Sequence, residues 1–196
     1  MTRWLVLCTL LVACHGRALA LSFTTVVIDA GHGGADPGAV WGGIYEKRLC
    51  LDVSQRVESA LRARGMNVAM TRRSDRTVSL DSRAAIANRF QRAVLVSIHF
   101  NANRNRSISG LETHYRSDQG RMLAAAIQRS LVRHVPGVNR GIDWEDFKVL
   151  RDTRMPAVLV ECGFLSHRAE NARCATASHR QKIADAIVAG ILAARK

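Results

Sequence analysis

Proline, cysteine and acidic side chains are all scarce in this chain. Three prolines and no biased tract among 196 residues exclude a low-complexity architecture. None of the five cysteines stands in a CxxC pair, so a cysteine-built zinc site is excluded. Cys8 and Cys14 fall within the first 20 residues, leaving Cys50, Cys162 and Cys174. Three cysteines cannot make a disulfide framework; they read as small buried apolar residues, with a Cys162–Cys174 pair left open. The apolar stretch from Trp4 to Ala13 is too short to span a bilayer. Sixteen acidic residues against 29 Lys and Arg give a formal charge of +13, which favours anionic partners such as nucleic acid, anionic lipid or cell-wall polymers. The arginines are scattered and no nucleic-acid motif accompanies them, so no nucleic-acid partner is expected.

The first 20 residues read as a leader. Arg3 supplies the positive start, Trp4 to Ala13 the apolar core, and Ala18-Leu19-Ala20 a small-residue cleavage site. The mature domain is then 21–196. A second pattern competes: Leu11-Val12-Ala13-Cys14 resembles a lipobox, in which Cys14 becomes the lipidated first residue and anchors the protein to a membrane. Both patterns place the protein outside the cytoplasm, in the periplasm or cell envelope.

Beyond the leader, strand and helix signals alternate, which predicts one α/β domain. Thr24 to Ala30 is a largely apolar run, read as a strand, that leads into a glycine-rich loop, His32 to Gly43. Leu49, Val53, Val57 and Leu61 recur every fourth residue and predict a helix. Met66 to Thr71 and Ala93 to Ile98 read as strands, with a helix over about Leu80 to Phe90 capped by Ser79 or Asp81. Gly110 to Tyr115 reads as a polar strand near an edge, followed by a helix over Ser117 to His134. A short strand is expected at Phe147 to Leu150, a buried one at Ala157 to Val160, and a last helix over about Ser178 to Ala194.

Two histidines and two glutamates sit where apolar runs end. His32 follows the first strand, His99 the Ala93–Ile98 run, and Glu161 the Ala157–Val160 run, while Glu46 opens the first helix. In open α/β sheets, ligands bind beyond the carboxyl ends of the strands, so these groups share one rim. Two imidazoles and a carboxylate form a catalytic zinc shell with a position left for water, and a further carboxylate can serve as base. Hence His32, Glu46 and His99 are candidate ligands of one zinc ion and Glu161 the candidate catalytic carboxylate. Asp29 is placed to orient His32, and Asn101 to hold the loop after His99. His15, His114, His134, His167 and His179 stand in the leader or in polar and helix-end settings, where structural or solvated roles are expected.

The stretches VVIDAGHGGADPGA, IYEKRLCLDVSQRVESAL, TRRSDRTVSLDSRAAIAN, LVSIHFNAN and PAVLVECGFLSH, in that order, resemble the zinc-dependent N-acetylmuramoyl-L-alanine amidases of bacterial cell walls. The resemblance runs from Val26 to about Ile191. It implies zinc on His32, Glu46 and His99, catalysis by Glu161, and a mixed, mostly parallel β-sheet with helices on both faces. It also implies peptidoglycan or muropeptides as substrate, cut between the lactyl group of N-acetylmuramic acid and L-alanine. His167 departs from the asparagine of many members. The segment between His99 and Glu161 has no room for the blocking helix of activator-dependent relatives, so no obligatory activator is expected. A zinc peptidase cutting within the stem peptide and a non-catalytic wall-binding protein are the alternatives.

Overall fold

A computed structural model describes residues 20–196. The leader before Ala20 and the lipobox cysteine Cys14 lie outside the described residues. The elements in chain order are strands β1 (Thr25–Ala30), β2 (Val40–Trp41) and β3 (Ile44–Tyr45), helix α1 (Glu46–Arg62), β4 (Asn67–Met70) and α2 (Leu80–Ala87). There follow β5 (Ala93–Asn101), β6 (Leu111–Tyr115), α3 (Asp118–His134), β7 (Asn139–Trp144), α4 (Lys148–Arg151), β8 (Ala157–Phe164), α5 (Arg168–Cys174) and α6 (Ala177–Ala194).

Six strands form one mixed, mostly parallel sheet in the order β4-β1-β5-β8-β6-β7, and β2 pairs with β3 in a separate hairpin. Within the six-stranded sheet, among the described residues, only the β6–β8 pairing is antiparallel. Strands β1 and β5 lie inside the sheet with parallel neighbours on both sides and are covered on both faces. That is why they read as continuous apolar runs rather than alternating ones.

Alternation along the strands still decides which helix each side chain meets. Val26, Ile28, Val94, Val96, Ile98, Val158 and Val160 pack into the larger core together with Val53 and Val57 of α1, Ile127 of α3 and Ile187 of α6. Val27, Leu95 and Leu159 point the other way and join Ala87 of α2 and Val149 and Leu150 of α4 in a smaller cluster. Helices therefore cover both faces, as expected.

One expectation is corrected, and two elements appear that the sequence pattern did not show. Phe147 to Leu150 is not a strand: Lys148–Arg151 forms a single helical turn that buries the adjacent Val149 and Leu150 against the sheet. The strand in this region is β7, whose exposed, polar outer course hid it from hydropathy. β6 lies near an edge, as expected, with β7 alone pairing outside it. The C-terminal helix is preceded by α5, too polar and short to show an apolar stripe; Glu170 ties it down by accepting from the backbone N–H of Gly110 and Phe164.

Candidate metal centre and catalytic carboxylate

Parallel pairing carries the site to one rim. In register, His99 of β5 lies opposite Glu161 of β8, and Glu161 lies opposite Glu112 of β6. The N–H of Gly31, just past β1, donates to the carbonyl of Ile98 at 3.1 Å, which brings the His32 loop beside His99. Glu46 enters from above as the first residue of α1 and is buried.

Oε1 of Glu46 lies 3.0 Å from Nε2 of His32 and 3.0 Å from Nδ1 of His99. The two imidazole rings meet edge to face at 4.9 Å between centroids. One ligand atom from each of the three residues falls within a 4.8 Å cluster. Backbone donors complete the carboxylate: Phe100 N–H reaches Oε1 at 3.0 Å and Ala39 N–H reaches Oε2 at 2.8 Å. Burial alone would raise the pKa of Glu46, yet hydrogen bonds and charge from His32 and His99 hold it well below the carboxylate range. A buried carboxylate kept ionised between two imidazole nitrogens is a donor set that fits one divalent, nitrogen-tolerant cation such as zinc.

The loop is shaped to bring His32 there. His32 adopts φ of 56°, a left-handed conformation that a non-glycine residue reaches at a strain of about 1 kcal/mol or more. Two buried guanidinium groups hold the strained carbonyls. Arg72 donates to Ala30 O at 2.9 Å and Gly31 O at 2.6 Å, and Arg83 donates to Ala30 O and His32 O, each at 2.6 Å. The ring of His32 is oriented by Asp36, whose Oδ2 accepts from Nδ1 at 2.8 Å.

The orienting part assigned to Asp29 therefore falls to Asp36. Asp29 is buried and accepts from Thr71, Ser97 and Arg83, each at 2.7 Å, so it reaches His32 only through Arg83 and the backbone. Asn101 sits at the end of β5, where its Oδ1 accepts from Ala102 N–H and its Nδ2 donates to Glu112 at 3.0 Å. Sequence patterning missed Arg72 and Arg83, although both fall within the TRRSDRTVSLDSRAAIAN stretch.

Glu161 lies within β8, between Val160 and Cys162, with its Oε2 shut off from solvent and without a hydrogen-bond partner. Desolvation, then the negative charges of Glu46 and Glu112, push its carboxyl well above the ordinary range. A cavity of about 400 Å³ opens beside His32 and His99, walled by Val78, Leu80, Phe147 and Leu159.

Among the described residues no other histidine joins the cluster. His114 is buried within β6 with Nε2 3.4 Å from Glu112, His167 caps α5, His179 is buried in the first turn of α6, and His134 is exposed at the end of α3. Cys50, Cys162 and Cys174 are buried and unbridged, so the Cys162–Cys174 pair does not form.

Gly31 gives the sharpest steric test. A Cβ there would lie 2.4 Å from Cε1 of His99, so the ring must move to admit a methyl group. Gly31→Ala is expected to weaken metal binding about 10- to 100-fold, as a misoriented ligand does, while the protein still folds. A zinc titration beside a thermal melt checks this; unchanged affinity would mean that the His99 ring is not a ligand.

Comparison with known proteins gives the family. Residues 26–193 match the profile of the N-acetylmuramoyl-L-alanine amidase family, Amidase_3. The chain is 40% identical over 196 residues to the uncharacterized protein YqiI of Bacillus subtilis, covering 96% of this chain and 95% of YqiI. It is 35% identical over 167 residues to the N-acetylmuramoyl-L-alanine amidase LytC of the same organism, covering 83% of this chain but only 34% of LytC. The crystal structure of an N-acetylmuramoyl-L-alanine amidase from Clostridium difficile 630 superposes with a TM-score of 0.84 at 37% identity, over 88% of this chain and 96% of that one. The chain belongs to the N-acetylmuramoyl-L-alanine amidase family, cell-wall hydrolases that cut the amide between N-acetylmuramic acid and L-alanine.

Proposed function

We propose that this domain hydrolyses the lactyl–L-alanine amide of peptidoglycan or muropeptides, with one zinc ion on His32, Glu46 and His99 and with Glu161 as general base and acid. The observation that carries the assignment is the buried Glu46 oxygen facing two imidazole nitrogens, one strand away from a buried carboxylate oxygen without a partner. When bound, zinc supplies Lewis acidity, which polarises a carbonyl and lowers the pKa of water toward ~7.

The residues do the rest. Glu161 takes a proton from the attacking water, because its Oε2 has no partner in the protein and is free to accept one. It then returns that proton to the alanine nitrogen as the C–N bond breaks, so the leaving group departs as an amine. Asp36 holds the His32 ring through Nδ1. The apolar wall of Leu80, Phe147 and Leu159 keeps bulk water from the scissile amide and positions the substrate chain.

His99→Ala is expected to lose the metal and all activity while keeping the cores, because its ring lies outside both packed clusters. Atomic absorption on the purified variant reads this directly; a full equivalent of zinc would remove His99 from the shell. We further propose that the protein is exported to the periplasm or cell envelope by its 1–20 leader, or as a lipoprotein through Cys14. The domain then works without an activator, so purified 21–196 cleaves muropeptides alone. Silence until a second protein is added would refute that part.

A further inference from the structure

The sheet brings one more charged group to the rim of the site. Across the rim in sheet order, His32 stands just past β1, His99 in β5 and Glu161 in β8, and beyond them come β6 and β7. Strand β6 is antiparallel to β8, and β7 is parallel to β6, so both begin at this same rim, with Glu112 and Arg140. Glu112 stands directly opposite Glu161, so the two share a face with Cβ atoms about 5 Å apart.

Arg140 is the extra residue of a β-bulge. Leu111 pairs with Asn139 and Glu112 with Gly141, which leaves Arg140 between them without a partner. A bulge re-aims the side chain it frees, and this one turns back across β6. Its Nε donates to Oε2 of Glu112 at 2.6 Å, and its guanidinium lies 5.3 Å from the ring centroid of Phe164 in β8. Gly110 makes room for it, since a Cβ there would lie 2.9 Å from Cγ of Arg140. Glu112 is held in turn by Nδ2 of Asn101 at 3.0 Å and faces Nε2 of His114 at 3.4 Å. The guanidinium is thus fixed but only partly used. Among the described residues neither of its Nη nitrogens has a partner, and 38% of the side chain is open to solvent. Glu112 takes one edge of the fork, and the free edge matches a second carboxylate.

We infer that Arg140 determines specificity by binding a stem-peptide carboxylate one residue beyond the L-alanine. Given the amidase assignment, on which this rests, Glu161 returns a proton to the alanine nitrogen. The leaving peptide therefore lies on the Glu161 side of the metal ligands and runs toward β6 and β7. Two extended residues span about 7 Å, and neighbouring strands are about 4.8 Å apart. The second stem residue then comes beneath the guanidinium that reaches back over β6. A residue joined to the next through its side-chain carboxyl presents a free α-carboxylate there.

The test uses the zinc-loaded domain 21–196, which holds the whole sheet and both cores. Two substrates are compared: N-acetylmuramoyl-L-alanyl-γ-D-glutamyl-L-lysine, and the same compound with its glutamyl α-carboxylate as a primary amide. Wild type is expected to show a KM about tenfold lower for the free acid, with kcat alike, as one charge-assisted pair at a part-exposed site gives. Arg140→Gln should lose the preference and treat both compounds as wild type treats the amide. Arg140→Lys keeps the charge without the fork and should retain part of the preference. Dissociation constants measured on Glu161→Gln, alone and combined with Arg140→Gln, should show the same pattern without turnover. A wild type indifferent to the amide would overturn the inference, and so would an Arg140→Gln enzyme that still prefers the acid. Equal losses on both compounds would overturn it too, because Arg140 would then act only through Glu112. Failure of the amidase assignment looks different: wild type releases neither peptide, and the dissociation constants still decide whether Arg140 binds the carboxylate.

Discussion

Replacing Glu161 by glutamine lowers amide hydrolysis roughly 10²- to 10⁴-fold and leaves fold and metal content intact. The size follows from the role. Glutamine keeps the volume and shape of the side chain within β8, so the buried residues on either side of it pack as before. In the role proposed for Glu161, what it removes is the ability to take a proton from water and return it to the leaving nitrogen. The wild-type carboxylate oxygen makes no hydrogen bond in the protein, so no structural partner is lost with it. Zinc content by atomic absorption and a thermal melt should match wild type, while kcat falls and KM stays close to its starting value. A folded, zinc-loaded Glu161→Gln enzyme that still turns over would sink the assignment. Equal loss of metal would instead make Glu161 a ligand.

The second large effect is on stability. Arg83→Ala leaves Asp29 ionised and buried with its guanidinium partner gone, and strips donors from the carbonyls of Ala30 and His32. Breaking a buried pair from one side costs about 3–5 kcal/mol, which for a domain of this size lowers Tm by roughly 10 °C. Activity should fall further than stability alone requires, because the strained His32 loses one of its anchors.

The pair also predicts a pH dependence. Burial pushes the Asp29 carboxyl up, but the charge of Arg83 and hydrogen bonds from Ser97, Thr71 and Arg83 bring it below its usual value. A depressed folded pKa means the ionised form is favoured in the fold. The contribution is therefore fully present above the unfolded value of about 3.9 and is lost as pH falls below it through the folded pKa. Urea midpoints measured downward from pH 5 should drop for wild type and drop less for Asp29→Asn. Parallel curves would show that this pair does not carry the acid sensitivity, and a stable Arg83→Ala would deny the loop its anchor.

What could be read from residues, and what could not, divides along physical lines. His99 and Glu161 were legible because each ends an apolar run, and a parallel sheet places such ends on one rim. The helix α1 was legible because Leu49, Val53, Val57 and Leu61 keep one face. Arg72 and Arg83 were not, because no periodicity distinguishes a guanidinium that is buried against carbonyls from one in solvent. Asp29 and Asp36 both lie within four residues of His32, and sequence distance could not tell which reaches the ring. Only the left-handed turn at His32 decides it for Asp36. β7 escaped because an exposed strand beside one neighbour needs no apolar alternation, and α4 was mistaken for a strand because one turn is shorter than any helical period.

The measurement that tests the central claim most directly is mass spectrometry of purified peptidoglycan digested with the mature domain, with and without a zinc chelator. Intact stem peptides with a free N-terminal alanine, lost on chelation and restored by zinc, are the products that His32, Glu46, His99 and Glu161 predict. Fragments cut within the stem peptide, or digestion that chelation leaves untouched, would contradict it.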